Sequence, residues 1–195
     1  NLDPFMMTEE NVRKTFVSAT KGADIAVIEG VMGLYDGVDG GDESSTAHVA
    51  RILDAPIILV ADVKGMSRSC GALVSGYTGF DKSLRFAGAV LTKGGSERHR
   101  SMVCSALPIP ILGWIPRTEA LAVESRHLGL LLAEEDSRMK QTAELIEETC
   151  LLDEILKAAS AAPAVSAAAD AEEKEPAFTL AAASDSAFCF SYADN

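Results

Sequence analysis

The sequence predicts an α/β fold in which a parallel sheet is flanked by helices. Three observations lead there. Short apolar runs rich in Ile, Val, Leu and Ala recur at 23–28, 56–62, 86–92 and 109–115. Stretches with helical character separate them, and strands alternating with helices mean βαβ units and a parallel sheet. The first of these runs is nearly continuous in apolar residues, the pattern of a strand covered on both faces.

The elements follow in order. Thr8 offers an N-cap oxygen, Glu9 and Glu10 set carboxylates at the positive end of a helix dipole, and Gly22 is a stop; a first helix is predicted over 9–21. The strand 23–28 comes next and ends at Glu29-Gly30. The alternation then repeats as a helix near 44–53, a strand at 56–62, a helix near 67–80, a strand at 86–92, a helix near 96–106 and a strand at 109–115. Right-handed crossovers would set the strand ends Glu29, Asp62, Thr92 and Pro116 along one edge, where such folds bind ligands. From Asp136 to about Lys157 the residues Met139, Leu145, Ile146, Leu152, Ile155 and Leu156 recur roughly at helical spacing, which predicts a final amphipathic helix. The domain is thus expected to span 1–157. Residues 158–177 are Ala-rich with Pro163 and Pro176 and suit a linker. The apolar, aromatic stretch within 178–195 reads as the first strand of a second, truncated domain, and both chain ends read as cut.

Composition excludes some partners. The 195 residues are 48% hydrophobic and 24% charged, with a formal net charge of −12, the profile of a folded chain rather than a disordered one. That charge argues against nucleic acid and anionic membranes, which are held by clustered Lys and Arg. A nucleotide ligand stays compatible with it, because backbone N–H groups and a metal ion hold small phosphates locally. Cys70, Cys104, Cys150 and Cys189 are widely spaced without a CxxC pair, which suggests neither zinc site nor disulfide framework and fits a reducing, cytoplasmic setting. No apolar run approaches the roughly 20 residues that span a bilayer.

The chemistry is expected on the turn 29–41. There Glu29 is followed by Gly30, Gly33, Asp36, Gly37, Asp39, Gly40, Gly41 and Asp42. Magnesium takes one or two carboxylates plus phosphates and water, and glycines let the backbone approach a ligand; an ordinary solvated acidic loop would draw on the same residues. Ser44, Ser45 and Thr46 begin the next helix; their hydroxyls could hold a carboxylate or phosphate, but simple N-capping explains the same residues and is the favoured reading. No G-x-x-x-x-G-K-[ST] phosphate loop occurs in the 195 residues. Either nucleotide is not bound, or that loop lies N-terminal to Asn1.

Several segments, in order, carry a family resemblance: Asn1-Leu2-Asp3-Pro4-Phe5-Met6-Met7, ADIAVIEGVMGLYDG (23–37), STAHVARILDAPIILVADVKGMSRS (45–69), AGAVLTKGGSERH (87–99), PILGWIPR (110–117) and ESRHLGL (124–130). They resemble the cobyrinic acid a,c-diamide synthase family, glutamine-dependent amidases of corrin-ring biosynthesis. The likeness runs to about Glu135 and resumes at 185–192, which resembles the opening of that family's glutaminase domain.

The resemblance implies a P-loop NTPase-like domain similar to dethiobiotin synthetase, here without its N-terminal phosphate-loop unit. It implies that ATP activates a corrin acetate side chain as an acyl phosphate, and that ammonia from glutamine converts it to the amide. Magnesium would be the cofactor, ATP and glutamine the co-substrates, and a corrinoid the small-molecule partner; a homodimer stays an open assembly. Glu29 would be the magnesium-associated catalytic carboxylate. Asp36 would act near the substrate carboxylate or its metal, with Asp39, Ser45 and Thr46 on the substrate side. Thr92 and Lys93 would stand where related proteins carry an Asn and a basic residue that contact adenine, and Pro116 with Arg117 would form the neighbouring base loop. Thr92 departs from that Asn, and a hydroxyl lacks an amide's paired donor and acceptor. Arg98, His99, Arg126, His127 and Cys189 are expected to have no catalytic part. The isolated chain is expected to be inactive. The alternatives are an amidase of nickel sirohydrochlorin and a non-catalytic α/β binding module.

Overall fold

The computed structural model describes residues 1–118, 138–167, 178, 179 and 181–183. They fall into two compact units: Asn1–Leu53 with the described residues from Pro163 on, and the described residues of Asp54–Ala162. Of the expected second-domain opening at 178–195, only 178, 179 and 181–183 are described; the segments 124–130 and 185–192, with Arg126, His127 and Cys189, lie outside the described residues.

In the first unit, helix α1 (Glu9–Ala19) starts where the sequence places it, with Thr8 accepting the Asn11 N–H at 3.2 Å and Glu9 and Glu10 in the first turn. Helix α2 (Thr46–Leu53) packs on it. Val12 is fully buried, as is Ala47, and Val49, Ile52 and Leu53 are nearly so. The Arg13 Nε–H donates to the Ile52 carbonyl at 3.2 Å, tying the end of α2 to α1.

The second unit holds the sheet. Strands β1 (Ile57–Asp62), β2 (Phe86–Gly94) and β3 (Ile111–Pro116) are parallel and lie in that order, with helix α3 (Arg68–Phe80) between the first two and α4 (Glu97–Cys104) between the second pair. Ala61, Ala89, Leu91 and Trp114 pack with Val63 and with Cys70, Val74 and Val103 from the two helices. Val90, Leu112 and Ile115 pack instead with Cys150 and with Leu145, Ile146 and Ile155 of two further helices, α5 (Met139–Thr149) and α6 (Leu152–Ser160). Side chains that alternate along a strand face opposite sides of a sheet, so these are two apolar layers with the sheet between them. The predicted α/β class and parallel sheet flanked by helices are what forms.

Two expectations need correction. The final helix is two helices, because at Cys150 the chain leaves helical geometry to pair with the sheet: Cys150 bridges Gly113, and the Leu151 N–H donates to the Leu112 carbonyl at 2.7 Å. Periodicity alone did not show that an outer strand would recruit this main chain. The segment 23–28 forms no strand, and its residues are exposed, Val27 by 89%. An apolar run becomes a strand only when a neighbour supplies complementary N–H and C=O groups, and among the described residues none pairs with it. Glu29 therefore does not end a strand; Asp62, Thr92 and Pro116 stand at the C-terminal edge of the sheet that forms. No helix among the described residues is long and apolar enough to cross a membrane.

Candidate functional site

The acidic turn of the first unit is built by close approach of the chain to itself. A side chain at Gly33 would collide with the Asp36 carboxylate, whose own N–H donates to the Gly33 carbonyl at 3.2 Å. One at Gly37 would strike the Glu43 carbonyl, and one at Gly30 the Thr46 side chain. These glycines thus make room for protein atoms, a cause different from the ligand approach expected of them. Asp39 takes left-handed backbone (φ 53) ahead of Gly40 (φ 74), which short polar residues tolerate.

Glu29, Asp36 and Asp39 are exposed. Ser45 is 1% exposed, and its Oγ accepts the His48 N–H at 3.0 Å and donates to Asp42 Oδ1 at 3.2 Å. It caps α2, with the hydroxyl committed inside the unit. The Thr46 hydroxyl donates to the Val31 carbonyl at 3.3 Å, and Asp42 is paired with Arg51. Upstream, Ser44 (φ 64) donates its hydroxyl to Asp3 at 2.5 Å and its N–H to His48 Nδ1 at 3.1 Å, while His48 Nε2 lies 3.7 Å from Glu9. The Ser44 hydrogen bond, first among its causes, holds the Asp3 carboxyl below the ordinary carboxylate range.

The second unit gathers the other predicted residues. Thr92 lies in register with Asp62, and Gly94 with Pro116, so the strand ends bring Thr92, Lys93, Pro116 and Arg117 to one edge. The Thr92 hydroxyl is turned to the Ala61 carbonyl at 3.4 Å. Lys93 takes left-handed backbone (φ 55) and reaches across to Asp62, Nζ to Oδ2 at 2.6 Å. Asp62 also accepts the Lys64 N–H at 2.9 Å. The Lys93 ammonium, and after it that N–H, hold the Asp62 carboxyl below its usual value. The Arg117 N–H donates to the Gly94 carbonyl at 3.0 Å, and Gly94 lies against the Trp114 indole with no room for a side chain. Asp62 was named from the sequence only as a strand end; its pairing with Lys93 follows from strand register, which no single-strand pattern contains.

Cys70 and Cys150 are buried, and desolvation pushes both thiols up, which suits packing rather than nucleophilic chemistry. Among the described residues no three His, Cys, Asp or Glu side chains cluster as a ready-made metal cage. Magnesium asks for less, one or two carboxylates with phosphates and water completing the shell; Glu29 and Asp36 are exposed carboxylates of that kind, and among the described residues no hydrogen bond or ion pair ties one to the other.

A parallel α/β sheet presenting polar strand ends at one edge is the plan of a nucleotide-using domain. Residues 6–125 match the family described as AAA domain, and the chain belongs to that family. In particular, it is similar to the cobyrinate a,c-diamide synthases of Picrophilus torridus, 37% identical over 100% of this chain and 47% of that protein, and of Syntrophotalea carbinolica, 41% identical over 100% and 45%. It is also similar to the hydrogenobyrinate a,c-diamide synthase of Thermobifida fusca, 50% identical over 67% of this chain and 28% of that protein. The family resemblance read from the sequence is borne out. The chain spans about half the length of the cobyrinate a,c-diamide synthases it matches. No solved structure matches it significantly.

Proposed function

We propose that this chain supplies part of the ATP-dependent, carboxylate-activating domain of a glutamine-dependent corrin amidotransferase of the cytoplasm. The observation that carries the reading is similarity along the whole chain to cobyrinate a,c-diamide synthases. In the proposed reaction a side-chain carboxylate of the corrin attacks the γ-phosphorus of ATP, giving an acyl phosphate and ADP. Ammonia released from glutamine then attacks the acyl carbon, and phosphate leaves as the amide forms. The a and c acetates would be treated in turn.

Bringing a carboxylate to a triphosphate crowds two anions, so the site must offset charge where it develops. Magnesium, when bound, supplies that neutralisation, and Glu29 with Asp36 would hold it. Asp36 and Asp39 would orient the substrate side. Ser45 and Thr46 would act through the turn they fasten, because their hydroxyls are bonded within the unit. Thr92, Lys93, Pro116 and Arg117 would receive the base; Lys93 brings a cation already held in place by Asp62.

The test is ATP- and glutamine-dependent amidation by the complete gene product carrying this chain, with Glu29→Gln and Asp36→Asn compared. Each substitution is expected to lower kcat on the order of a hundredfold or more, the scale for removing one charge-stabilising group; turnover near native in both would end the reading. A second substrate is favoured by the 50% identity to a hydrogenobyrinate a,c-diamide synthase. Competition between cobyrinate and hydrogenobyrinate in the same assay decides which ring is preferred.

A further inference from the structure

His99 does more at the sheet edge than its place on α4 requires. Its Nδ1 accepts the Gly95 N–H at 3.0 Å, so that nitrogen carries no proton. The proton is then on Nε2, which donates to the Met66 carbonyl at 2.6 Å. The ring stands edge-on to Trp114, with centroids 5.4 Å apart and planes at 69°. One imidazole thus touches the turn after β1, the turn after β2 and the body of β3. The first turn closes with the Met66 N–H on the Val63 carbonyl at 3.0 Å and has Gly65 at φ +73. The second follows Gly94, next to Lys93 with φ 55 at the end of β2. Between them lies the Asp62–Lys93 pair.

We propose that His99 is a positioning residue: its bond to Met66 holds the turn after β1 against the turn after β2, and so fixes where Asp62 and Lys93 meet a nucleotide. The nucleotide in that statement rests on the function proposed above; the holding of one turn by the other does not. With both ring nitrogens engaged by main chain, His99 is not a free base, and its effect reaches the edge only through the two turns.

Two substitutions separate this from a local capping role. In His99→Asn the amide oxygen falls near Nδ1 and keeps the Gly95 bond, while Met66 is out of reach. In His99→Gln the amide nitrogen extends to where Nε2 stood and keeps the Met66 bond. Hydrogen exchange without any ligand is the first readout. His99→Asn is expected to speed exchange of the 63–67 amides about fivefold to tenfold, the scale for losing one hydrogen bond, whereas His99→Gln leaves them near native. Unchanged exchange at 63–67 in His99→Asn overturns the proposal, and so does equal loosening by both variants. Emission of the single tryptophan, Trp114, checks folding, and nitrogen NMR of the native chain needs no variant. It should show a protonated Nε2 and a bare Nδ1 at His99, and the opposite tautomer overturns the proposal. The second readout is MgATP affinity of the complete gene product, expected to weaken several-fold in His99→Asn and to hold in His99→Gln. If the native protein binds no MgATP, the proposed function fails while the exchange result still decides the role of His99.

Discussion

Two apolar runs of similar composition, 23–28 and 57–62, meet different ends. The second is β1, paired with β2 through six register positions, with Ala61 in the core. The first has no ladder partner among the described residues and leaves Val27 89% exposed and Ile25 and Ile28 about 40% exposed. Their residues alone do not separate them. An apolar pattern states what is to be buried, whereas a strand also needs a neighbour at hydrogen-bonding distance, and β1 gains one because α3 returns the chain to its side.

The comparison is broken most forcefully at the centre of the sheet. Leu91 of β2 is fully buried among residues of β1, β3, α3 and α4. Leu91→Ala is expected to cost about 2–5 kcal/mol, through lost burial and the cavity left behind. Val27→Ala should stay within about 0.5 kcal/mol, as exposed substitutions do. Urea unfolding of both variants checks this; equal losses would mean that 23–28 is buried after all.

What could be read from the sequence follows the same division. Strands β1, β2 and β3 and helices α1, α3 and α4 fall within about two residues of their expected bounds, because local periodicity and caps such as Thr8 carry that information. The break at Cys150, the bridge to Gly113 and the Asp62–Lys93 pair depend on which strands become neighbours, a non-local outcome. The predicted edge residues Thr92, Lys93, Pro116 and Arg117 came together because a parallel sheet aligns its strand ends. Glu29 ends no strand, since that strand was inferred from composition without a partner. The glycines of the acidic turn were expected to admit a ligand, whereas contacts such as that of Gly33 with Asp36 appear only once the turn is closed.

Glycines sharpen the contrast at the next scale. Gly94 of β2 lies against the Trp114 indole, whereas Gly40 of the acidic turn has open space but a positive φ. Gly94→Ala is expected to cost about 1–3 kcal/mol by overpacking and to shift Trp114 emission. Gly40→Ala should cost about 1 kcal/mol, from left-handed backbone alone, with emission unchanged. Smaller again is Ser45→Ala, expected to cost about 1 kcal/mol or less for one N-cap, measurable as a lowered Tm.

The smallest effects compare the two depressed carboxyls, Asp3 in the first unit and Asp62 in the second. Both have folded pKa values below the ordinary carboxylate value. Such a group contributes stability above its unfolded pKa and loses that contribution as pH falls through its folded value. The window is therefore acidic, below about pH 4; near neutrality both contributions are fully present and neither makes stability change with pH. The causes differ: Ser44 gives Asp3 a neutral hydroxyl donor, whereas Lys93 gives the exposed Asp62 a cation. Salt screens an exposed ion pair, with a Debye length of about 3 Å near 1 M, and acts much less on a hydroxyl bond. Carboxyl NMR titration should thus show Asp62 rising toward its ordinary value in high salt and in Lys93→Met, while Asp3 stays depressed in salt and rises in Ser44→Ala. Equal salt sensitivity at the two carboxyls would mean that charge, rather than the hydroxyl, holds Asp3 down.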